Sequence, residues 1–291
     1  MSHHVDYDVS ALKKMGLLKQ REGDLFSVRV GLVGGALTAD QLRALADLAE
    51  RHGQGHVHLT TRQGVEIPDV EFPAIADVST GLARAELGFA ACGARVRTIT
   101  ACRGGSCLHG LIDPQDLARK ISARVAGRAD LPHKFKIGLT GCPNSCIKPQ
   151  ENDLGIMGVA DLAFDPGRCG LCGLCVEACR VGALEIAGDQ LLCDGEKCLD
   201  CGACAPVCPT GAWELTGTGY ALFVGGKIGR VPRLADRLPL VVTEEAALLE
   251  AVDAVLDWYI EHGRQGERLG CTIDRVGLEG LVEAVAHQEG P

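Results

Sequence analysis

Eight of the fifteen cysteines fall in two runs, CGLCGLCVEAC (169–179) and CLDCGACAPVC (198–208), each spaced C-x2-C-x2-C-x3-C. Three thiolates at that spacing can wrap one face of an iron–sulfur cubane, and the fourth, one helical turn on, reaches a neighbouring cluster. Cys169, Cys172, Cys175 and Cys208 would then hold one 4Fe-4S cluster, and Cys198, Cys201, Cys204 and Cys179 the other. Gly170, Gly173, Gly202 and Ala203 between the ligands allow close backbone approach and amide hydrogen bonds to sulfur. Zinc sites and disulfides are the alternatives. Zinc needs four ligands apiece without this interlocked count, and an odd cysteine total argues against complete pairing.

A second pattern lies upstream, in LPHKFKIGLTGCPNSC (131–146). Side chains alternate faces in a strand, so Phe135, Ile137 and Leu139 would point into the core while Lys134 and Lys136 point together the other way. The chain would then turn at Gly141 and present Cys142 and Cys146. Cys102 and Cys107, in CRGGSC, form a further pair. Other features carry less chemistry. GLVGG (31–35) has neither the spacing nor the helix placement of a dinucleotide-binding loop. Cys92, Cys193 and Cys271 read as buried thiols, and His56, His58 and His109 as structural residues.

The elements that must position these residues alternate along the chain. LFSVRVGLV (25–33) reads as a strand, and TADQ (38–41) as a capping box with Thr38 at the N-cap and Gln41 at N3. In the following helix Leu42, Leu45, Leu48 and Ala49 mark the buried stripe and Gly53 the end. HVHLTTRQGVEI (56–67) reads as strand and turn, and a second helical stretch runs through Leu82 and Leu87. GARVRTITACRGGSC (93–107) is a strand entering a glycine-rich loop, and Asp113 and Pro114 start a helix reaching about Val125. KFKIGLT, GIMGVADLAF (155–164) and YALFVGG (220–226) are strands, and EEAALLEAVDAVLDWYIEHG (244–263), capped by Thr243, is a long helix. The class is α+β, with the cysteine-dense part inserted.

The chain has 291 residues, of which 46% are hydrophobic, enough for a sizeable core in one large domain or two modest ones. A formal charge of −9 disfavours nucleic-acid or anionic-membrane binding. No run of eighteen apolar residues appears and MSHHVDYDVS is unlike a secretory signal, so a cytoplasmic location is expected, where disulfides are rare and metal ligation explains the cysteines.

The cysteine runs have the bacterial two-cluster ferredoxin pattern, except that Arg180 stands where Pro209 follows the second run. HLTTRQGVEIP, both cysteine pairs, LPHKFK, NDLGIMG, the ferredoxin-like insert and GERLGCTIDRVG, in that order, resemble the sirohaem-containing sulfite and nitrite reductases. Among these, the catalytic subunits of anaerobic, assimilatory-type sulfite reductases and small dissimilatory-like enzymes with an inserted ferredoxin are most similar. CRGGSC departs by one residue, having four between its cysteines where many relatives have five. The resemblance implies a ferredoxin-like N-terminal subdomain (1–80), a sirohaem and 4Fe-4S domain (81–163 and 217–291) and an inserted ferredoxin domain (164–216). It further implies a third cubane on Cys102, Cys107, Cys142 and Cys146, with Cys146 bridging to sirohaem iron. Arg62, Arg97, Lys134 and Lys136 would bind sirohaem carboxylates and the oxyanion substrate, the lysines also supplying protons.

The expected reaction is six-electron reduction of sulfite to sulfide. The alternatives are nitrite reduction to ammonia at the same site, or an electron-transfer protein lacking sirohaem. No flavin or nicotinamide motif is visible, so a separate electron-donor protein or subunit is implied. Larger relatives contain two related halves and this chain one, which implies a homodimer with composite sites.

Overall fold

The computed structural model describes residues 7–90, 92–126, 128–129 and 131–287. Two mixed layers of sheet and helix follow one another along the chain. The first begins with helix α1 (Val9–Lys14) and strands β1 (Leu17–Lys19) and β2 (Leu25–Gly31). Helix α2 (Ala39–His52), β3 (His58–Leu59), β4 (Val65–Glu71), α3 (Ile75–Arg84) and β5 (Gly88–Phe89) complete it. The sheet order is β1-β2-β4-β3, with β5 also paired to β2. In β2 every second residue (Phe26, Val28, Val30) is buried, as its alternation requires.

Thr38 and Gln41 form the reciprocal capping box of α2, and Leu45, Leu48 and Ala49 face the sheet. Leu42 does not join them. It is 55% exposed, and the first turn is held to the end of α3 by Gln41, whose Nε2 donates to the Ala85 carbonyl at 3.2 Å.

The second layer is a five-stranded mixed sheet. Its strands are β6 (Thr100–Ala101), β7 (Ile137–Thr140), β8 (Leu154–Phe164), β11 (Trp213–Val224) and β12 (Asp236–Val242), and between β8 and β11 come α5 (Leu174–Ala178), β9 (Leu184–Ala187) and β10 (Gln190–Cys193). The order is β12-β11-β8-β7-β6, with β7 parallel to both its neighbours. Helices α4 (Pro114–Val125), α6 (Glu245–His262), α7 (Leu269–Val276) and α8 (Glu279–Ala286) contribute to the main hydrophobic core with this sheet. Asp113 caps α4 as its sequence implies, its carboxylate accepting from the amides of Gln115 and Asp116. Helix α6 begins one residue later than expected: Glu244 is its N-cap, without a side-chain cap bond, and Thr243 is not.

The strand over KFKIGLT is shorter than its alternation suggests, with regular pairing from Ile137 only. Even so, Phe135 bridges Val96 in a parallel pair, and Phe135, Ile137 and Leu139 are fully buried. β8 and β11 form a long antiparallel hairpin that ends in the pair Phe164 and Trp213, whose rings lie 4.6 Å apart. All of residues 165–212, the cysteine runs included, leave from that end.

Candidate functional site

Three segments build one basic pocket. Arg62 comes from the turn between β3 and β4, Arg97 from the RVRT segment and Lys134 and Lys136 from the approach to β7. The parallel bridge between Val96 and Phe135 is the reason the last two segments meet: both apolar residues face the core, so Arg97, Lys134 and Lys136 share the other face. All four sequence-predicted basic residues line one pocket of about 270 Å³, together with Arg29, Thr60 and Thr61.

Their surroundings are strongly cationic. The Lys136 ammonium is pushed down to about 8, first by burial and then by Arg62, Arg268 and Lys134. Lys134 is lowered in the same sense by burial and by Arg268 and Arg97. Even Arg62 is lowered to about 10, chiefly by burial. Cations crowded at partial burial repel one another, and an anion among them relieves that repulsion. The Arg62 fork is already anchored: Nη1 donates to Asn152 Oδ1 at 2.9 Å and Nη2 to the Thr98 and Ile137 carbonyls at 3.0 and 3.3 Å. Its Nε is buried with no partner among the described residues, which leaves one donor for a bound group.

Behind the pocket stands a pair the sequence reading does not single out. Asp153 is fully buried; its Oδ1 accepts from Arg268 Nε at 2.9 Å and its Oδ2 from the Lys136 amide at 2.8 Å. Burial pushes the Asp153 carboxyl up, and Arg268 and the Lys136 amide pull it back. The motifs NDLGIMG and GERLGCTIDRVG contain both residues, but a 115-residue separation hides their contact from any local pattern.

The second pair of cysteine segments meets at the other end of β7. The Gly141 amide donates to Cys102 Sγ at 3.1 Å and the Cys102 amide to the Leu139 carbonyl at 3.1 Å. Burial raises the Cys142 thiol, and Cys102, Cys107 and Cys146 each lie near enough to add to the shift. The loop is tightly folded: a Cβ on Gly104 would sit 2.6 Å from Pro114 Cδ and 2.9 Å from Gly141 Cα. Cys107 and Cys146 are exposed, Cys142 is buried. Two thiols beside amide donors, Cys102 under Gly141 and Cys142 under Asn144, and two others open to an incoming group are a donor set that suits a cubane.

The two runs between β8 and β11 share one backbone conformation. Leu171 and Asp200, at matching positions, both have left-handed φ (50° and 52°), as do Gly173 and Gly202 (80° and 74°). Cys169, Cys172, Cys175 and Cys208 line a single cavity. Amides reach the sulfurs of Cys179 (from Ala183, 3.2 Å), Cys198 (from Asp200, 3.5 Å) and Cys208 (from Ala212, 3.2 Å). Backbone hydrogen bonds at Trp213 and the Thr210 hydroxyl lower the Cys208 thiol to about 7. Such donors stabilise thiolate, the ligating form.

The three remaining cysteines differ from the sequence expectation in part. Cys92 is buried, but Cys193 is exposed on β10 and Cys271 is half-buried, accepting from Lys227 Nζ at 3.0 Å. His56, His58 and His109 are exposed, His109 at the rim of a larger cavity.

The sequence matches the family described as nitrite and sulphite reductase 4Fe-4S domain over residues 92–290, and the nitrite/sulfite reductase ferredoxin-like half domain over residues 18–85. It is 36% identical over 273 residues to the coenzyme F420-dependent sulfite reductase of Methanocaldococcus jannaschii, covering 93% of this chain and 43% of that protein. It is 34% identical over 203 residues to one of the subunits of the anaerobic sulfite reductase of Salmonella typhimurium, covering 62% of this chain and 59% of that relative. The chain thus spans about half the length of these two relatives. The crystal structure of dissimilatory sulfite reductase I superposes with a TM-score of 0.73 at 21% identity, covering 90% of this chain and 69% of that one, and so shares the fold. With its half domain, its 4Fe-4S domain and the basic pocket and thiol quartet at opposite ends of one strand, the chain belongs to the nitrite and sulfite reductase family.

Proposed function

We propose that the protein reduces sulfite to sulfide in six one-electron steps at a sirohaem site, with electrons entering through an inserted two-cluster ferredoxin domain (164–216). The observation that carries this reading is the convergence of Arg62, Arg97, Lys134 and Lys136 in one pocket. Arg62 Nε and the lysine ammoniums would hold sirohaem carboxylates and the oxyanion, and Lys136, near 8, is suited to release protons to departing oxygens at neutral pH. Cys102, Cys107, Cys142 and Cys146 would hold the adjoining cubane. When bound, a cubane and a sirohaem would supply the redox chemistry that side chains lack.

The geometry of β7 supports composite sites in a homodimer. Lys136 and Cys142 flank the four residues of β7 (Ile137–Thr140), which span about 13 Å at about 3.3 Å per residue before the chain bends at Gly141. A lysine side chain spans far less. The lysines of one protomer would therefore serve the cysteine quartet of a second copy. A cytoplasmic setting and a separate electron-donor protein complete the reading.

The test is anaerobic purification with tetrapyrrole supply. Iron, sulfide and sirohaem are quantified, then turnover of sulfite and nitrite is compared with reduced methyl viologen. Three clusters, one sirohaem per chain and preference for sulfite are expected. A strong preference for nitrite would replace the substrate, and absence of tetrapyrrole bands would leave only an electron-transfer protein.

A further inference from the structure

The two cysteine runs have the same spacing but different surroundings. The second is fastened to the sheet that carries the Cys142 loop: the Asp200 carbonyl accepts from the Ala160 amide of β8 at 2.7 Å, and the Asp200 carboxylate from Arg237 Nη2 of β12 at 2.8 Å. A Cβ on Gly202 would lie 3.1 Å from that of Ala160. The first run is tied to β11 just before its first cysteine, where Arg168 Nη1 donates to Glu214 at 2.9 Å, and it shares its cavity with Ile186 and Leu191 of the β9–β10 hairpin.

The larger cavity, of about 670 Å³, separates the two cases. Cys142 lines it together with Cys179 and Cys201, both of the second set, and among the described residues none of Cys169, Cys172, Cys175 and Cys208 lines it. Trp213 borders this cavity and also the one enclosed by the first set.

Electron tunnelling weakens steeply with the gap to be crossed, so adjacency sets the order of transfer. We propose that Cys198, Cys201, Cys204 and Cys179 form the inner cluster site, facing the catalytic quartet, and that Cys169, Cys172, Cys175 and Cys208 form the outer one, facing the donor. The proposal rests on the ferredoxin reading above. Each transfer moves one electron, oxidising the outer site as the inner is reduced, then the inner as the quartet is reduced. The donor supplies the electron, and no bond is made or broken.

The experiment compares Cys172→Ser with Cys201→Ser in the anaerobically reconstituted full chain. Reduced methyl viologen is the electron source, small enough to reach either site. Freeze-quenched electron paramagnetic resonance then follows reduction of the catalytic centre. Cys201→Ser is expected to slow it by an order of magnitude or more, with Cys172→Ser close to the parent rate. The reverse ranking, or equal rates, overturns the order. Should either variant fail to fold, the ligand-preserving Arg237→Ala and Arg168→Ala serve instead. Arg237 is tied to the inner loop, Arg168 to the Thr210 carbonyl beside Cys208. The insert signal magnetically broadened by the catalytic centre should be the one whose midpoint potential moves in Arg237→Ala; movement in Arg168→Ala instead overturns the order. Iron and sulfide analysis of the unsubstituted chain keeps the two claims apart, since an insert without clusters defeats the ferredoxin reading and the ranking with it, whereas a loaded insert with the reverse order defeats the ranking alone.

Discussion

Arg268 holds Asp153 with two nitrogens, Nε to Oδ1 at 2.9 Å and Nη2 to Oδ2 at 2.5 Å, in a place where the carboxylate has no exposure to water. Through the bond from the Lys136 amide, this pair also fixes the start of β7. Removing one partner leaves a charge buried alone, which typically costs about 3–5 kcal/mol. Arg268→Met should therefore lower the urea unfolding midpoint sharply. Asp153→Asn combined with Arg268→Met should recover part of that loss, and a double variant no better than the worse single one would refute the pairing.

Lys136 carries a pH signature. Its folded value of about 8 lies below the 10.5 of a free lysine, so between the two the unfolded chain binds more protons than the folded one. Stability from this group therefore rises with pH across that window and is complete above it. Lys136→Met should unfold at higher urea than the parent at pH 7, with the difference shrinking as pH passes 8 and vanishing near 10.5. Sulfite affinity should run the opposite way, weakening in the parent as Lys136 loses its proton.

Gln63 fastens the N-terminal layer to the second sheet. Its side chain accepts from the Ala101 amide at 2.9 Å and donates to the Ala101 carbonyl at 3.0 Å, beside the Arg62 bonds to Asn152, Thr98 and Ile137. Gln63→Ala leaves the Ala101 amide without this acceptor, at a cost of about 1–3 kcal/mol, while the Ala101 carbonyl keeps the bond from Gln115 Nε2 at 3.2 Å. Faster hydrogen exchange at the Ala101 amide is the expected outcome, with β4 amides unaffected.

Gly104 has no room for a side chain, its Cβ position being 2.6 Å from Pro114 Cδ and 2.9 Å from the Ile112 carbonyl. Gly104→Ala should displace the loop between Cys102 and Cys107. Iron content should then fall by one cluster's complement, and the ultraviolet circular dichroism should stay close to that of the parent.

Composite sites predict complementation. Lys136→Met and Cys146→Ser chains should each be inactive alone, yet a co-expressed mixture should regain sulfite turnover, because each mixed dimer has one site with both residues intact. Failure of the mixture, with mixed dimers verified by differential tagging, rejects the shared arrangement.

How far the fold can be read from sequence depends on the range of the interaction. The Thr38–Gln41 box, the Asp113 cap of α4 and the alternation of Phe135, Ile137 and Leu139 are set by neighbours a few residues away, and all are found. Leu42 and Thr243 fit their local patterns equally well, but the packing of the first turn of α2 and the exit from β12 decide otherwise. Cys193 reads as a buried thiol and is exposed, on a strand whose four residues include none that is buried. The basic residues of the pocket are recognisable through family resemblance alone, since a lone arginine or lysine gives no pattern. The Asp153–Arg268 pair leaves no local trace, joining the residue before β8 to the residue before α7 across 115 positions.

The hairpin of β8 and β11 brings Phe164 and Trp213 side by side at its tip. A tight turn could join the two strands there, so everything from 165 to 212 can in principle be excised, lengthened or exchanged while the strand pairing survives. The interval from Lys136 to Cys142 has no such freedom, because β7 is hydrogen-bonded on both sides and one added residue would reverse which way the lysines face. The architecture thus separates a part open to evolutionary replacement, the cysteine-rich excursion, from one whose length is locked by the pairing of β7 with both its neighbours.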